Sequence, residues 1–154
     1  MNFEQLKEFL HPYDSTEILV VGLGNKYCSD DGAGLLLFEK LRKKKELRNA
    51  DFLQVGCNPE NYLMQIIEKK PKLIMFLDAA EERESRDTIK IYQSDEIEDK
   101  DFSTHAYSLG FIEKFIKRHI KAEFIYLGIN IKNSLPGIKI SQKITKIIES
   151  FVEK

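Results

Sequence analysis

Acidic side chains follow two apolar segments of this sequence, at positions where a sheet protein could use them for chemistry. Asp30 and Asp31 lie in a glycine-rich turn after the largely apolar segment 17–22, and Asp78 ends the segment 72–78. If both segments are strands of a parallel sheet, their carboxyl ends share the edge where ligands bind. Two carboxylates about 4 Å apart repel by about 4 kcal/mol at an effective dielectric constant of about 20, and a bound cation turns that repulsion into attraction.

His105 is a third candidate, because it lies at a predicted junction between a loop and a helix. The other histidines, His11 in a terminal turn and His119 late in a helix, are expected to be solvated or structural. Two carboxylates and an imidazole are a suitable donor set for a divalent ion with open coordination positions. Each candidate also has a structural alternative: one of the paired acids caps a helix, Asp78 caps a turn, and the histidine begins a helix. The combination of Asp31, Asp78 and His105 therefore predicts a metal-binding site.

Several other chemistries lack the residues they need. The turn after the first strand has Tyr27 where a dinucleotide-binding fingerprint has its third glycine, and segment 50–56 does not end in an acid. A phosphate-binding loop, a serine-hydrolase elbow and a zinc-protease helix motif are absent from the sequence. Cys28 and Cys57 follow strand ends, but a nucleophilic thiol needs a positioned base. We expect both cysteines to be buried and inert.

Strand and helix patterns alternate along the chain and must position these residues. The alternation predicts a three-layer α/β/α sandwich with a mostly parallel central sheet of about five strands. Segment 88–93 follows the third strand after only a polar loop, which favours an antiparallel strand at one edge. Segment 94–101 is acidic and predicted as a flexible loop. The predicted strands span residues 17–22, 50–56, 72–78, 88–93 and 123–131. The predicted helices span residues 2–10, 59–69, about 107–120 and 141–152, and a further helix follows Gly34 and ends in the basic run 42–45.

The composition indicates one globular domain, 1–154, in which helix 2–10 is added to a core of about 16–154. The formal net charge is −1, from 24 Lys and Arg against 25 Asp and Glu. This balance argues against nucleic acid or an anionic membrane as the main partner. Two cysteines cannot form a disulfide framework. The first residues lack the pattern of a signal peptide and no apolar stretch could cross a bilayer, so we expect a cytoplasmic location.

Several short motifs of this chain, in the same order, resemble those of the nickel–iron hydrogenase maturation endopeptidase family. The resemblance begins at about Ile18, runs to the end of the chain and leaves mainly the N-terminal helix outside. The matching residues, in order, are Gly22, Gly24 and Asn25, then Asp30, Asp31, Gly32 and Gly34, then the loop Gly56, Cys57, Asn58, Pro59 and Glu60, then Asp78 and Ala79, and finally Thr104, His105, Ser108 and Leu109.

The resemblance implies a specific activity. Members of this family remove a C-terminal extension from the hydrogenase large-subunit precursor after nickel has been inserted. It implies that the nickel arrives with the substrate, that no organic cofactor is permanently bound, and that Asp31, Asp78 and His105 are the metal-contacting and catalytic side chains. The hydrolysis would be of an aspartyl or metal-assisted type. The expected partner is the large-subunit precursor, and a monomer is the expected state.

The same residues permit a second function. A non-catalytic binding module or chaperone for a metallated hydrogenase subunit would also need two acids and a histidine at one rim of the molecule. The sequence separates this alternative from the peptidase poorly, because both would contact the same metal.

Overall fold

The computed structural model describes residues 1–81, 89–98, 106–131 and 139–153. Helices and strands alternate along most of this length. In chain order the elements are α1 (Phe3–Leu10), β1 (Ile18–Leu23), α2 (Ala33–Arg42), β2 (Asp51–Gly56), α3 (Leu63–Lys69), β3 (Leu73–Ala80), β4 (Ile89–Tyr92), α4 (Ser94–Glu98), α5 (Ala106–Lys117), β5 (Glu123–Asn130) and α6 (Gln142–Glu153). Two 3-10 turns, Ser29–Gly32 and Pro59–Tyr62, precede α2 and α3.

The five strands form one sheet in the order β2-β1-β3-β5-β4. β1 pairs in parallel with β2 and β3, and β3 pairs in parallel with β5. β4 lies at the edge and runs antiparallel to β5. The predicted fold class, including its antiparallel edge strand, is therefore confirmed. The carboxyl ends of β1, β2, β3 and β5 lie at the same edge, which we call the carboxyl edge.

The central strands are buried on both faces because helices cover each side of the sheet. All residues of β1 and of β3 are buried. Side chains alternate between the faces, so Val20 and Met75 contribute to one core while Leu19 and Ile74 contribute to the other. The first core packs against α1, α2 and α6, and the second against α3 and α5. Each fully buried aliphatic or aromatic side chain stabilises the fold by about 1.5–3 kcal/mol relative to exposure.

The structure differs from the sequence-based expectations most clearly in three segments. Residues 94–98, expected in a flexible loop, form the short helix α4, and its Ile97 is buried in the second core. The predicted helix 59–69 is divided into a 3-10 turn and α3. β3 continues two residues beyond Asp78, because Ala79 and Ala80 keep pairing with β5. Along the described part of the chain, no helix is long and apolar enough to cross a membrane.

Candidate active site

The turn between β1 and α2 is shaped by glycine and asparagine. Gly24 has φ +133°, and a Cβ atom there would lie 2.4 Å from the backbone oxygen of Asp31. The backbone N–H of Gly24 donates to the oxygen of Gly56 at 3.1 Å, which holds the turn beside the end of β2. The Asn25 side chain makes two hydrogen bonds within the turn. Its Oδ1 accepts from Tyr27 N at 2.9 Å, and its Nδ2 donates to Cys28 Sγ at 3.2 Å. Only a residue without a Cβ fits this close approach at position 24.

Asp31 lies at the end of this turn, just before α2. Its Oδ2 accepts a hydrogen bond from the backbone N–H of Asn25 at 3.1 Å, and its own N–H donates to the oxygen of Cys28 at 3.0 Å. The side chain is half-buried. Backbone hydrogen bonding of this kind holds a carboxylate in position. Asp31 is therefore an ordered carboxylate at the carboxyl edge.

Gly34 allows the start of α2 to contact the central strands. A Cβ atom at this position would lie 2.5 Å from the oxygen of Leu23, 2.7 Å from that of Leu77 and 2.9 Å from the Cα of Asp78. The first turn of α2 therefore rests against β1 and β3 at the level of Asp78. Because Asp31 lies three residues before Gly34, this contact brings both acidic residues to one end of the sheet.

Asp78 is almost completely buried within β3, with 3% of its surface exposed. Its Oδ1 accepts from the backbone N–H of Ala79 at 2.9 Å, and its backbone is in register with Gly128 of β5. The alternative in which Asp78 caps a turn is thus wrong, since the residue belongs to a strand. A carboxylate in such a position is costly unless hydrogen bonds or charges compensate it.

The thiol of Cys57 shares this environment with both acids. Partial burial raises the pKa of Cys57, and the negative charges of Asp31 and Asp78 and the neighbouring Cys28 raise it further. The Gly24–Gly56 hydrogen bond and the contacts of Gly34 bring the ends of β1, β2 and β3 together at one rim of the molecule, the carboxyl edge. Cys28 is half-buried and Cys57 is exposed, and both are free thiols. The prediction that both cysteines are buried is therefore wrong.

Asp30 has a different position from its neighbour. It is 5% exposed, and its carboxylate accepts from the backbone N–H of Ser141 at 2.7 Å and from the Ser141 hydroxyl at 3.0 Å. Neither acid caps α2, whose first flanking residue is Gly32 and has no side-chain cap. The capping expectation is wrong for α2, because Asp30 bonds instead at the start of α6. Sequence analysis missed Ser141, although a serine before an amphipathic segment is a typical helix N-cap.

The remaining residue of the predicted site is a histidine. His105 lies outside the described residues. His119 is exposed, its ring stacks on Phe115 at 4.7 Å between centroids, and its Nδ1 lies 2.9 Å from the Phe115 oxygen, which fits the predicted structural role. In residues 1–81, 89–98, 106–131 and 139–153, no group of three or more His, Cys, Asp or Glu residues is arranged to hold a metal ion. The described portion thus contributes two carboxylates, Asp31 and Asp78, to the candidate site.

The known proteins that this chain resembles in sequence and fold include hydrogenase maturation proteases. The family model HycI, hydrogenase maturation protease, matches residues 35–154. The chain is 32% identical over 115 residues to the hydrogenase 3 maturation protease of Escherichia coli K12, covering 74% of this chain and 72% of that protein.

Solved structures agree with the sequence comparison. The crystal structure of the NiFe hydrogenase maturation protease HycI from Thermococcus kodakarensis is similar with a TM-score of 0.75 and 25% identity, covering 87% of this chain and 86% of the other. The solution structure of the endopeptidase HycI from Escherichia coli gives a TM-score of 0.70 and 26% identity, covering 86% of this chain and 84% of the other. With the match to the family model, these similarities establish that the chain belongs to the hydrogenase maturation proteases, a family of peptidases.

Proposed function

We propose that this protein removes the C-terminal extension of a nickel–iron hydrogenase large-subunit precursor, and that it does so after nickel insertion. Asp31, Asp78 and His105 would contact the nickel that the precursor carries. The proposal is supported most directly by the packing of the start of α2 against Asp78, which brings the turn that carries Asp31 to the same end of the sheet, and by the influence of both acids on Cys57. Family membership supports the general processing of a hydrogenase precursor.

The electrostatics of the rim suit a cation delivered by the substrate. Asp31 is half-buried and Asp78 is buried, so their charges are screened less by solvent than those of surface carboxylates. Both carboxylates would attract a divalent ion held in the precursor. The ion would leave the rim together with the product. Loading of nickel would therefore increase the affinity of the precursor for this rim.

Contact with the nickel would place the scissile peptide bond beside the two carboxylates. Such positioning converts a slow bimolecular hydrolysis into a reaction between groups that are already aligned. Two routes fit these residues. The metal could polarise the carbonyl or activate a water molecule, or Asp31 or Asp78 could act as the base.

The proposal is tested by incubating the purified protein with nickel-loaded and nickel-free precursor and measuring precursor mass. We expect loss of the C-terminal segment only from the loaded precursor. Asp31→Asn, Asp78→Asn and His105→Gln should each lower the cleavage rate by about 100-fold or more, because each changes a side chain that is proposed to contact the nickel. Asp51→Asn is the matched control, since Asp51 is an exposed carboxylate at the opposite end of the sheet.

Each outcome of this test has a definite meaning. Equal cleavage of loaded and nickel-free precursor would contradict recognition of nickel. Stable binding of the loaded precursor without any change in its mass would contradict peptidase action and indicate a binding module instead. Full activity of both aspartate variants would contradict the assignment of the rim as the active site.

A further inference from the structure

The residues on either side of Asp31 contact the segment that begins α6. Ser29 Oγ donates to the backbone oxygen of Lys139 at 3.1 Å, and Asp30 accepts the two hydrogen bonds from Ser141. A Cβ atom at Gly32 would lie 3.6 Å from Ile140 Cδ1, so this segment also packs against the turn. We call these interactions between residues 29–32 and residues 139–141 the loop–helix contact.

The strongest part of the loop–helix contact is the pair formed by Asp30 and Ser141. Both hydrogen bonds end on a carboxylate, and such charge-assisted bonds are stronger than those between neutral groups. Asp30 is 95% shielded from solvent, so water cannot easily replace a lost donor. The two residues are 111 positions apart in the chain, and their pairing therefore depends on the tertiary fold.

Ser141 is itself held firmly at the start of α6. Its hydroxyl oxygen accepts from Ile144 N at 3.3 Å, and its backbone oxygen accepts from Thr145 N at 3.0 Å. Ile144 and Ile148 anchor α6 in the first core. Ser141 therefore presents its two donors to Asp30 from a rigid element.

The turn needs such external support. Ser29 has φ +48°, a left-handed conformation that residues other than glycine rarely adopt and that persists where surrounding contacts impose it. Within the turn, the Asp31 carboxylate is bonded to the N–H of Asn25. Loosening residues 29 and 30 would therefore displace the backbone that carries Asp31.

We infer that Asp30 is a positioning residue, which through Ser141 holds the Asp31 carboxylate in place for cleavage. The part of this inference that concerns cleavage rests on the proposed function. Asp30 is not expected to contact the precursor, since its oxygens are bonded to Ser141 within the protein.

The first test measures the cleavage kinetics of variants at position 141. Ser141→Ala removes the hydroxyl donor but keeps the backbone N–H, so the chain should still fold. We expect kcat to fall about tenfold with KM unchanged, because a misplaced group lowers the rate of reaction. Ser141→Thr keeps a hydroxyl and should restore kcat. Ser150→Ala, an exposed serine on the same helix, is the matched control.

The second test is independent of proteolysis and follows the backbone amide of Asn25 by NMR. In Ser141→Ala and in Asp30→Asn, the Asn25 amide resonance should move and its proton should exchange faster, because its acceptor is Asp31 Oδ2. The amide of Val20, in the buried strand β1, should not change. A Ser141→Ala variant with an unshifted Asn25 amide and unchanged kcat, but a lower Tm, would overturn the inference and leave Asp30 a purely stabilising role.

The two proposals can fail separately. If the wild-type protein cleaves no precursor but the Asn25 amide responds to both substitutions, the positioning of Asp31 by Asp30 stands and the proposed function fails. If the wild type cleaves the precursor and neither kcat nor the Asn25 amide responds, the proposed function stands and the positioning role fails.

Discussion

At positions 30 and 31, two aspartates in succession bond to different parts of the molecule. Asp30 is buried and accepts from Ser141, whereas Asp31 is half-buried and accepts from the backbone of Asn25. The difference follows from their place in the 3-10 turn Ser29–Gly32, where successive side chains project in different directions. The first acid faces α6, and the second lies at the rim with Asp78 and Cys57.

The thiol of Cys57 provides a chemical probe of this rim. Its pKa is raised by partial burial and by the charges of Asp31 and Asp78, so less thiolate is present near neutral pH than for an ordinary cysteine. We expect iodoacetamide to alkylate Cys57 slowly. The increase of this alkylation rate with pH should occur at higher pH than for an ordinary cysteine. Asp31→Asn removes one negative charge, lowers the pKa of Cys57 and should increase the rate.

The alkylation is measured by mass spectrometry on a Cys28→Ser background, so that a single thiol reacts. Asp51→Asn serves again as the control because its carboxylate is remote from this rim. An Asp31→Asn variant that reacts no faster than Asp51→Asn would contradict the shared environment of thiol and carboxylate.

We also predict that Cys57→Ser preserves precursor cleavage, since the proposed chemistry uses no thiol.

At the scale of elements, the approach of α2 to the central strands determines where Asp31 lies. Gly34→Ala places a methyl group 2.5 Å from the oxygen of Leu23 and 2.7 Å from that of Leu77. Neither backbone oxygen can move away easily, so we expect a loss of about 1–3 kcal/mol in the free energy of unfolding. Chemical denaturation measures this loss, with the exposed Glu39→Ala on the same helix as control. Equal stability of the two variants would show that α2 does not pack this closely.

A buried carboxylate connects α5 with two neighbouring elements. Glu113 of α5 accepts from the Ser94 hydroxyl of α4 and from the Tyr126 hydroxyl of β5, the latter at 3.1 Å, and lies 3.1 Å from Lys117 Nζ. Only 7% of the surface of Glu113 is exposed, and these interactions compensate the cost of burying its charge. The network thereby aligns α5 on the sheet.

Removing one donor from this network should destabilise the protein. Tyr126→Phe leaves a buried carboxylate oxygen with one hydrogen bond fewer, which should lower the free energy of unfolding by about 1–3 kcal/mol. Tyr62→Phe, at a half-buried tyrosine outside this network, is the control. A loss no larger than that of the control, measured by urea denaturation, would contradict a stabilising role for the Tyr126 hydroxyl.

At the scale of the whole molecule, the parallel sheet gathers the ends of β1, β2 and β3 at one rim. The order β2-β1-β3 makes these strands neighbours, although residues 31, 57 and 78 are distant in the chain. The opposite edge carries the exposed basic ends of α2, α3 and α5, which include Arg42, Lys69 and Lys117. Acids near helix starts and bases near helix ends both complement the helix dipoles.

We predict that the protein is a monomer in solution. In the ranges that the structure describes, the large hydrophobic side chains that are exposed belong to different elements: Phe9 in α1, Tyr27 in the turn, Met64 in α3 and Phe111 in α5. Individual exposed apolar residues are common on the surfaces of monomeric proteins. Light scattering coupled to size-exclusion chromatography should give a mass near 17.9 kDa at all concentrations. A mass of twice that value would contradict the prediction.

Short-range patterns predicted most of the fold. The uninterrupted apolar segments of β1 and β3 indicated strands covered on both faces, and the polar connection before β4 indicated an antiparallel edge strand. The same patterns failed at α4, where an acidic composition suggested a loop. Ile97 of α4 is buried in the second core, and composition averaged over a segment does not reveal a single anchoring side chain.

The sequence by itself determined the order and type of most elements, and with them the expectation that Asp31 and Asp78 lie at the same edge. Local periodicity suffices for this, because parallel strands always place their carboxyl ends together. Only the tertiary structure decided that Asp30 bonds to Ser141, that two backbone oxygens pack against Gly34, and that Cys57 is exposed near the acids. These features depend on the distance between packed elements, which no single segment of sequence specifies.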